Sequence, residues 1–436
     1  MKRLFLYNAV IAAQTLLALA FQFVFALRFG ASASSDAYFA GMAVFALIAG
    51  VASFFTHMFM QYYNDLKVKD AADAGRFYQA VMTVSLAAGA ASFGAMAVFG
   101  EPLARAFAPG FSVQAAAEMK SFVLVLGAAL VWNRAVALNN ALINAEMRFL
   151  LPYLLGLLAP LFNIGAVLFF SGSYGINAIA WATLSSGLFS LLATSLFIKK
   201  DMGFGLSFRF WHPAIAGLVR DSFSIRFAYQ LWALREPAAV NFLSRFPEGS
   251  LSFYFYAVRL LSALLNVVAT PVIHVFAAKA SRLISSGSFA GARRLMGIAS
   301  VRSFVFFTVA CLPLTIFLQD LLKVFFSQKF SAAEIGHIYL MFLSLVPAYA
   351  CAAAEMPFNN VVAAMKMGRR AMFISTGGVV FFLAALAASA PGAGIYAVSI
   401  SMGAASSAVL AAYILSARAA TLRPVPPVGF SEAPRH

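Results

Sequence analysis

The sequence predicts an all-α polytopic membrane protein with about twelve transmembrane helices, arranged as two parallel six-helix lobes around a central cavity. The composition is the first reason: of 436 residues, 62% are hydrophobic and only 11% are charged, a far more apolar balance than soluble domains have. The second reason is the recurrence of apolar runs of roughly 20 residues, the length that crosses a bilayer. The third is a weak internal repeat near half the chain length.

Twelve apolar runs meet the length requirement. The first run follows Lys2 and Arg3 and continues past an Ala-Leu-Ala sequence to Leu27, so we expect a retained span rather than a cleaved signal peptide. The predicted spans cover residues 5–27, 37–60, 78–99, 121–143, 150–171, 175–198, 222–244, 251–275, 303–325, 337–361, 371–391 and 394–417.

The basic residues predict which way the spans cross the membrane. Twelve spans put both termini on one side, and the termini and loops of that side contain 21 Lys and Arg residues, against 6 in the opposite loops. By the positive-inside rule, both termini are predicted to be cytoplasmic. The net charge of +16 then reflects topology and attraction to anionic phospholipids, and we expect no nucleic-acid partner.

Three pairs of similar segments occur in the same order in the two halves of the chain. The repeat unit contains six spans, an even number, so the second copy has the same orientation as the first. Such parallel repeats are related by an axis along the membrane normal, with the substrate path between them. The pairs are RFGASASSDAYFA (28–40) with RFPEGSLSFYFYA (245–257) at an offset of 217, FAPGFS (107–112) with FSQKFS (326–331) at 219, and NNALINAEMR (139–148) with NNVVAAMKMGR (359–369) at 220.

The repeat also predicts the domain organisation. The two lobes should superpose, with Asn139 over Asn359. The segment between them is charged and contains a proline, as expected of a linker outside the membrane. We predict an N-terminal lobe at 1–198, a cytoplasmic linker at 199–221, a C-terminal lobe at 222–418 and a disordered, Pro-rich cytoplasmic tail at 419–436.

Four segments together resemble one transporter family. They are FGASASSDAYFA (29–40), AFAPGFS (106–112), ALINAEMRFLLPYLLGLLAPLFNIG (141–165) and FPEGSLSFYFYAVRL (246–260). On these segments the chain resembles the MurJ (MviN) lipid II flippases of the multidrug/oligosaccharidyl-lipid/polysaccharide exporter superfamily, as a short twelve-helix member. The resemblance implies two six-helix lobes that form a V around a central cavity and work by alternating access.

The resemblance also implies a function. It is that of a bacterial inner-membrane flippase, which moves a polyprenyl-diphosphate-linked saccharide precursor, lipid II or a related lipid-linked glycan, from the cytoplasmic to the periplasmic leaflet. Cell-envelope biosynthesis enzymes are then the expected partners. Two features depart from the family, because MurJ proteins usually have two further helices and arginines in the first span. Here that span reads LLALAFQFVFA (16–26), with Gln14 and Gln22 as its polar candidates for the cavity.

The eighth span carries the main substrate-binding candidates, Arg259 and Asn266. Arg259 matches an arginine in the eighth span of the family, and its guanidinium can donate two parallel hydrogen bonds to a diphosphate without losing its charge. The alternative is that Arg259 braces the lobes by pairing with a carbonyl, Glu236 or Glu355. Separations of seven, four and four residues place a polar stripe on one helical face, formed by Arg259, Asn266, Thr270 and His274.

The seventh span adds Gln230 and Arg235 as substrate-binding candidates. Pro237 should kink this helix and free a carbonyl. Glu236 points about 100° away from Arg235, so the two need not pair, and Glu236 is a candidate for gating or ion coupling. Arg226, near the cytoplasmic end, is interpreted as an anchor whose side chain reaches toward the membrane surface.

The fourth and tenth spans contain a candidate gate. Arg134 and Glu355 occupy nearly equivalent places in the two halves, which makes them candidates for a gate or ion-coupling pair. The neighbouring asparagine pairs, 139–140 and 359–360, are interpreted as hydrogen bonds that join helices within each lobe.

Enzyme motifs are missing from the sequence. There is no GxSxG, Walker lysine or HExxH motif, and Cys311 and Cys351 lie in apolar runs without the spacing of a metal or disulfide site. We therefore expect no enzyme activity, no cofactor and no metal. Two other functions stay open. One is a cation-coupled drug or solute antiporter of the same superfamily, which needs buried carboxylates such as Glu236 and Glu355; the other is a non-transporting scaffold derived from a flippase.

Overall fold

A computed structural model describes residues 2–54, 56, 58–202, 209–285, 288–364 and 368–419, and these residues form helices with short connections. Residues 203–208 of the predicted linker and 420–436 of the predicted tail lie outside the described residues. The side chains of Thr270, His274, Asn359 and Asn360 also lie outside them. The polar stripe and the match of Asn139 with Asn359 therefore stay predictions.

The first half of the described chain contains nine helices, separated by short turns. They are α1 (Lys2–Phe29), α2 (Ala33–Ala52), α3 (Phe59–Lys69), α4 (Ala71–Phe107), α5 (Val113–Ala145), α6 (Leu150–Leu155), α7 (Leu158–Phe169), α8 (Ser171–Tyr174) and α9 (Asn177–Met202).

Polar side chains begin several of these helices. Ser32 and Ser35 exchange side-chain-to-backbone hydrogen bonds at the start of α2, while Asp70 caps α4 and Ser112 caps α5. These caps satisfy amides of the first turn, which have no partner within the helix. Between α1 and α2, Gly30 adopts a φ of 62°, a conformation that favours glycine, and this allows the tight turn.

The second half contains seven helices and one short 3₁₀ turn. They are α10 (Ala214–Ala233), α11 (Arg235–Leu243), α12 (Ser250–Ser285), α13 (Phe289–Phe326), α14 (Ala332–Ala364), α15 (Gly368–Ala393), the 3₁₀ turn (Gly394–Tyr396) and α16 (Ala397–Ala419).

The predicted kink in the seventh span is confirmed. The helix is interrupted at Leu234, three residues before Pro237, so α10 and α11 are separate elements. Proline has no amide hydrogen, and its ring clashes with the carbonyl four residues earlier. The fifth predicted span is also interrupted near a proline. Helix α6 ends at Leu155, and α7 begins at Leu158, two residues before Pro160.

Ten stretches of the described chain are long and apolar enough to cross a membrane, which confirms an all-α polytopic fold. Two features explain why this number is lower than the twelve predicted spans. First, the 3₁₀ turn joins α15 and α16 into one apolar stretch, Arg369–Ser416. Second, the seventh span is divided between α10 and α11, and α10 carries Arg220, Asp221 and Arg226, which lower its hydropathy.

Helix contacts fall into two sets, which we call the first and the second helix set. In the first, α4, α9 and α2 pack around α5, and α7 packs between α1 and α9. In the second, α12, α13 and α16 pack around α14, while α15 packs against α10 and α16. The sets meet where α1 and α2 contact α12, and where α2 and α4 contact α10 and α11. The residue boundaries of the predicted lobes stay predictions.

Candidate functional site

A cavity of about 220 Å³ lies where α1 of the first helix set meets α12, α13 and α14 of the second. Its wall is mainly alkyl and aromatic, with side chains such as Leu19, Leu322 and Phe326. The wall also contains the amide of Gln22 and the guanidinium of Arg259, two predicted substrate-binding residues that the structure brings together. An apolar wall with a few placed polar groups is typical of a ligand site.

Both polar groups of this cavity have unused hydrogen-bonding capacity. The Nε of Arg259 and the Oε1 of Gln22 are buried and have no hydrogen-bond partner among the described residues. A buried donor or acceptor without a partner costs roughly 1–3 kcal/mol, and more for a charged group. The salt bridges of the described chain include none from Arg259 to Glu236 or Glu355, so this brace is not formed in the present conformation.

Asp36, in the first turn of α2, joins the two helix sets beside the cavity. One carboxylate oxygen accepts hydrogen bonds from the amide of Ser252 at 2.8 Å and from its hydroxyl at 2.5 Å. The other oxygen accepts from the amide of Gly249 at 2.8 Å. These donors begin α12, so a carboxylate of the first set caps a helix of the second and complements its dipole. We call these three hydrogen bonds the Asp36 contact.

Aromatic packing surrounds the Asp36 contact. The rings of Phe39 and Phe255 stack with centroids 5.0 Å apart, and the hydroxyl of Tyr256 donates to the carbonyl of Gly30 at 2.6 Å. Asp36 is not among the candidate site residues predicted from the sequence. Its signal was present, because the carboxylate lies in one copy of the repeated Arg-Phe segment and its donors lie in the other copy.

Gln230, a predicted substrate-binding residue, forms a second connection between the sets. Its side-chain amide donates to the carbonyl of Leu47 in α2. The approach requires a glycine, since a Cβ added at Gly50 would lie 2.0 Å from the Oε1 of Gln230. Near the start of α10, the hydroxyl of Tyr62 donates to Asp221 at 2.7 Å. Side-chain hydrogen bonds therefore join α10 to helices of the first half at two points along α10.

Three other predicted residues do not line the cavity. The guanidinium of Arg235 lies over the ring of Trp232 at 3.1 Å, donates to the Trp232 carbonyl at 2.9 Å, and contacts the sulfur of Met402 at 2.8 Å. These contacts hold Arg235 inside the second helix set. Asn266 on α12 and Glu236 on α11 are exposed.

The predicted gate residues, Arg134 and Glu355, are not paired with each other in the described structure. Glu355 on α14 is only 7% exposed. Among the residues that the structure describes, no ion pair joins Arg134 to Glu355.

Asn139 joins three helices of the first set, which confirms its predicted interhelical role. Its side-chain oxygen accepts from the hydroxyl of Tyr78 on α4 at 2.7 Å. Its amide donates to the hydroxyl of Thr194 on α9 at 2.9 Å. Because Asn139 is fully buried, these partners satisfy groups that water does not reach.

Solved structures of two kinds of transporter are similar to this chain. The lipid II flippase MurJ in an inward closed conformation has a TM-score of 0.74 and 18% sequence identity, over 95% of this chain and 87% of that one. An inward-facing multidrug resistance MATE family transporter of the MOP superfamily has a TM-score of 0.77 and 14% identity, over 93% and 94%. A mutant of the Vibrio cholerae MATE transporter VcmN has a TM-score of 0.65 and 18% identity, over 96% and 97%. The chain has the fold that these transporters share.

No family model and no curated protein matches the chain by sequence. The shared fold nevertheless extends over nearly the whole chain, and together with the ten apolar stretches it supports a multi-pass membrane protein. The similarity is as great for MATE transporters as for MurJ, so the choice of substrate depends on the side chains of this protein.

One end of the structure carries a cluster of ion pairs, where α3 meets the connection between α5 and α6. Glu146 accepts from Lys67 at 2.6 Å and from the hydroxyl of Tyr63 at 2.9 Å, and Arg148 pairs with Asp201. Burial opposes ionisation of Glu146, but the hydrogen bonds from Lys67 and Tyr63 outweigh it and lower its pKa. The basic residues predict that this end is cytoplasmic.

Proposed function

We propose that the protein is a flippase that moves a polyprenyl-diphosphate-linked saccharide, lipid II or a related lipid-linked glycan, across the bacterial inner membrane. The observation that carries the proposal is Arg259, which has an unpartnered Nε and lies beside Gln22 at an apolar cavity between the helix sets. The guanidinium suits a diphosphate, to which it can donate paired hydrogen bonds. The alkyl and aromatic wall suits part of a prenyl chain.

The Asp36 contact supplies the element that has to open. Arg259 lies nine residues after the start of α12, about 14 Å along the helix from the end that Asp36 caps. Loss of the three hydrogen bonds to Asp36 lets α2 and α12 separate at that end. A head group held by Arg259 then becomes accessible to that side, as alternating access between parallel lobes requires.

The proposed cellular setting follows from the same function. Both termini face the cytoplasm, and the basic residues of that side attract anionic phospholipids. Enzymes of cell-envelope biosynthesis supply the lipid-linked precursor on one side and consume it on the other. The product serves peptidoglycan synthesis or polysaccharide export.

A cation-coupled drug or solute antiporter is the second candidate, because MATE transporters share the fold. The buried carboxylate of Glu355 favours it, since an ionisable group inside a membrane bundle is typical of ion coupling.

A deletion strain complemented with variants tests the flippase. We expect a polyprenyl-linked intermediate to accumulate in the deletion strain and wild-type protein to clear it. Arg259→Ala should abolish clearance while folded protein remains in the membrane, and Arg259→Lys should impair it, because lysine keeps the charge but loses the paired donors. Arg302→Ala, which removes an exposed arginine of α13, is the matched control.

Membrane abundance, measured in the same cells, distinguishes the alternatives. Full clearance by Arg259→Ala at normal abundance rejects the flippase proposal. Low abundance of Arg259→Ala with normal clearance per molecule indicates a structural brace instead. Loss of drug efflux in Glu355→Gln, with lipid clearance intact, supports the antiporter.

A further inference from the structure

The connection before α10, residues 209–213, carries two exposed aromatic side chains, and we call it the strap. Phe210 is 76% exposed and Trp211 is 65% exposed. The strap is not helical, and the amides of residues 210–212 donate to no carbonyl of the described residues. Such a backbone is unstable inside hydrocarbon, which offers no hydrogen-bond partners, whereas exposed aromatic rings are unfavourable in water. The boundary between membrane and water meets both requirements.

Two side chains of α4 fix the position of the strap. The amide of Arg209 donates to the hydroxyl of Thr83 at 3.1 Å. Three residues later, His212 is only 5% exposed, and its Nε2 lies 3.4 Å from the carboxylate of Asp73. The His212 ring also packs on Phe77, with centroids 5.3 Å apart. The strap therefore runs along α4 from Thr83 back to Asp73.

This part of α4 is where the helix changes from charged to apolar. On one side, Asp70, Asp73 and Arg76 form ion pairs whose side chains are partly exposed. On the other side, residues 77–100 contain no charged residue, and exposed side chains there include Val98. Exposed ion pairs need water, whereas an uncharged stretch of this length fits a bilayer. The change marks a membrane surface, and the two aromatic rings of the strap lie beside it.

Basic residues without ion pairs occur at the same end of the structure. Arg209, Lys199 and Lys200 are exposed, and none of them has an ion pair with a residue that the structure describes. Ile198, directly before Lys199, is buried in the same cluster as Phe77, so the end of α9 lies beside this part of α4. Aromatic and basic side chains together are typical of contact with anionic head groups.

We propose that the strap binds the head-group region of the membrane on the predicted cytoplasmic side. Phe210 and Trp211 insert between lipids, and Arg209 contacts anionic phospholipid head groups. The strap leads directly into Ile215 and Leu218 of α10, which are buried in a cluster with residues of α4 and α5. Lipid contact therefore holds the start of α10 against the first helix set. This lipid contact is independent of the flippase and of any particular substrate.

The depth of a spin label tests the lipid contact. The label is attached to Phe210→Cys, which leaves Trp211 in place, in full-length protein whose buried cysteines, Cys311 and Cys351, are replaced by alanine. In nanodiscs that contain phosphatidylglycerol, relaxation by oxygen and by a water-soluble nickel chelate measures the depth. We expect the label to lie roughly 5–10 Å below the phosphates. A label at Val68→Cys, an 89% exposed position of α3, is the matched control and should be open to the chelate.

Three substitutions separate the contributions of the ring and the charge. Trp211→Ser removes an exposed ring, so the protein should stay folded while the label at position 210 moves toward water. Tyr174→Ser removes a 58% exposed aromatic side chain of α8 and should leave the depth unchanged. The parent label should be shallower in phosphatidylcholine than in phosphatidylglycerol, and Arg209→Gln should remove this difference.

Each part of the proposal can fail separately. A label at position 210 that is as open to the chelate as the label at Val68 overturns the lipid contact. A protected label whose depth does not change in Trp211→Ser overturns the role of the aromatic pair. Equal depths in the two lipids overturn the role of anionic head groups. None of these results bears on the flippase, which is decided by lipid clearance in the Arg259 variants.

Discussion

Asp36→Asn perturbs the Asp36 contact with little change of volume. The carbonyl oxygen of the asparagine can still accept the two hydrogen bonds from Ser252. Its NH₂ group, however, then faces the amide of Gly249, and two donors meet without an acceptor. The substitution therefore removes one charge-assisted hydrogen bond and the negative charge at the start of α12.

The contacts and burial of Asp36 set the size of the free-energy change that Asp36→Asn causes. A hydrogen bond to a charged group contributes roughly 1.5–3 kcal/mol, and a charge at a helix N-terminus contributes about 0.3–1 kcal/mol more. Because Asp36 is only 4% exposed, water does not replace the lost acceptor. The total of about 2–4 kcal/mol shifts the equilibrium between joined and separated helix sets by roughly 30- to 1,000-fold toward separation.

Distances between two spin labels measure this equilibrium. Labels at Val113, which begins α5, and Ala333, in the first turn of α14, report on the two helix sets at the end that Asp36 holds, and both residues are exposed. The native cysteines, Cys311 and Cys351, are buried and are replaced by alanine in this background. In nanodiscs, Asp36→Asn should move the distance distribution toward longer values.

A second carboxylate provides the matched control. Asp320 lies near the same end, on α13, but its side chain is 75% exposed and its contact with Lys323 is a surface ion pair. Asp320→Asn should leave the distances as in the parent, since such pairs contribute little. If Asp36→Asn also leaves the distance distribution unchanged, the Asp36 contact does not hold the two sets together, and the reasoning is refuted.

Three further predictions concern topology, packing and pH. Cysteines introduced at Ser288 and at Val113 should label from opposite sides with an impermeant reagent, and labelling from one side contradicts the predicted topology. Asn139→Leu should lower the free energy of unfolding by roughly 1–3 kcal/mol, because it leaves buried hydroxyls without partners; an unchanged melting temperature disagrees with this role. Glu146 has a folded pKa below its unfolded value of 4.5, so its stabilisation is present above pH 4.5 and is lost as pH falls through the folded pKa. Glu146→Gln should therefore be less stable by about 0.5–1 kcal/mol at neutral pH, with a difference that vanishes in acid, whereas a difference that persists in acid excludes this cause.

The residue order by itself determined the membrane class, the positions of most helices and their breaks. Apolar runs, serine caps and prolines act on residues within a few positions of themselves, so their effect is readable without the fold. Pro237 shows this clearly, because the clash that interrupts the helix involves a carbonyl four residues away. The internal repeat also indicated that the Arg-Phe segments of the two halves are related, although it did not show that they touch.

Only the tertiary structure decided which polar groups meet. Arg235 looked like a ligand-binding arginine in the sequence, but a tryptophan one turn earlier and Met402 of another helix occupy its guanidinium. Gln22 and Arg259 are far apart in the chain and line one cavity, while Arg134 and Glu355 form no ion pair in the described chain. A helix presents side chains in every direction, and its sequence does not state which helix will pack against each face. The charge environment of an arginine therefore depends on long-range packing, and this is why the site emerged only from the fold.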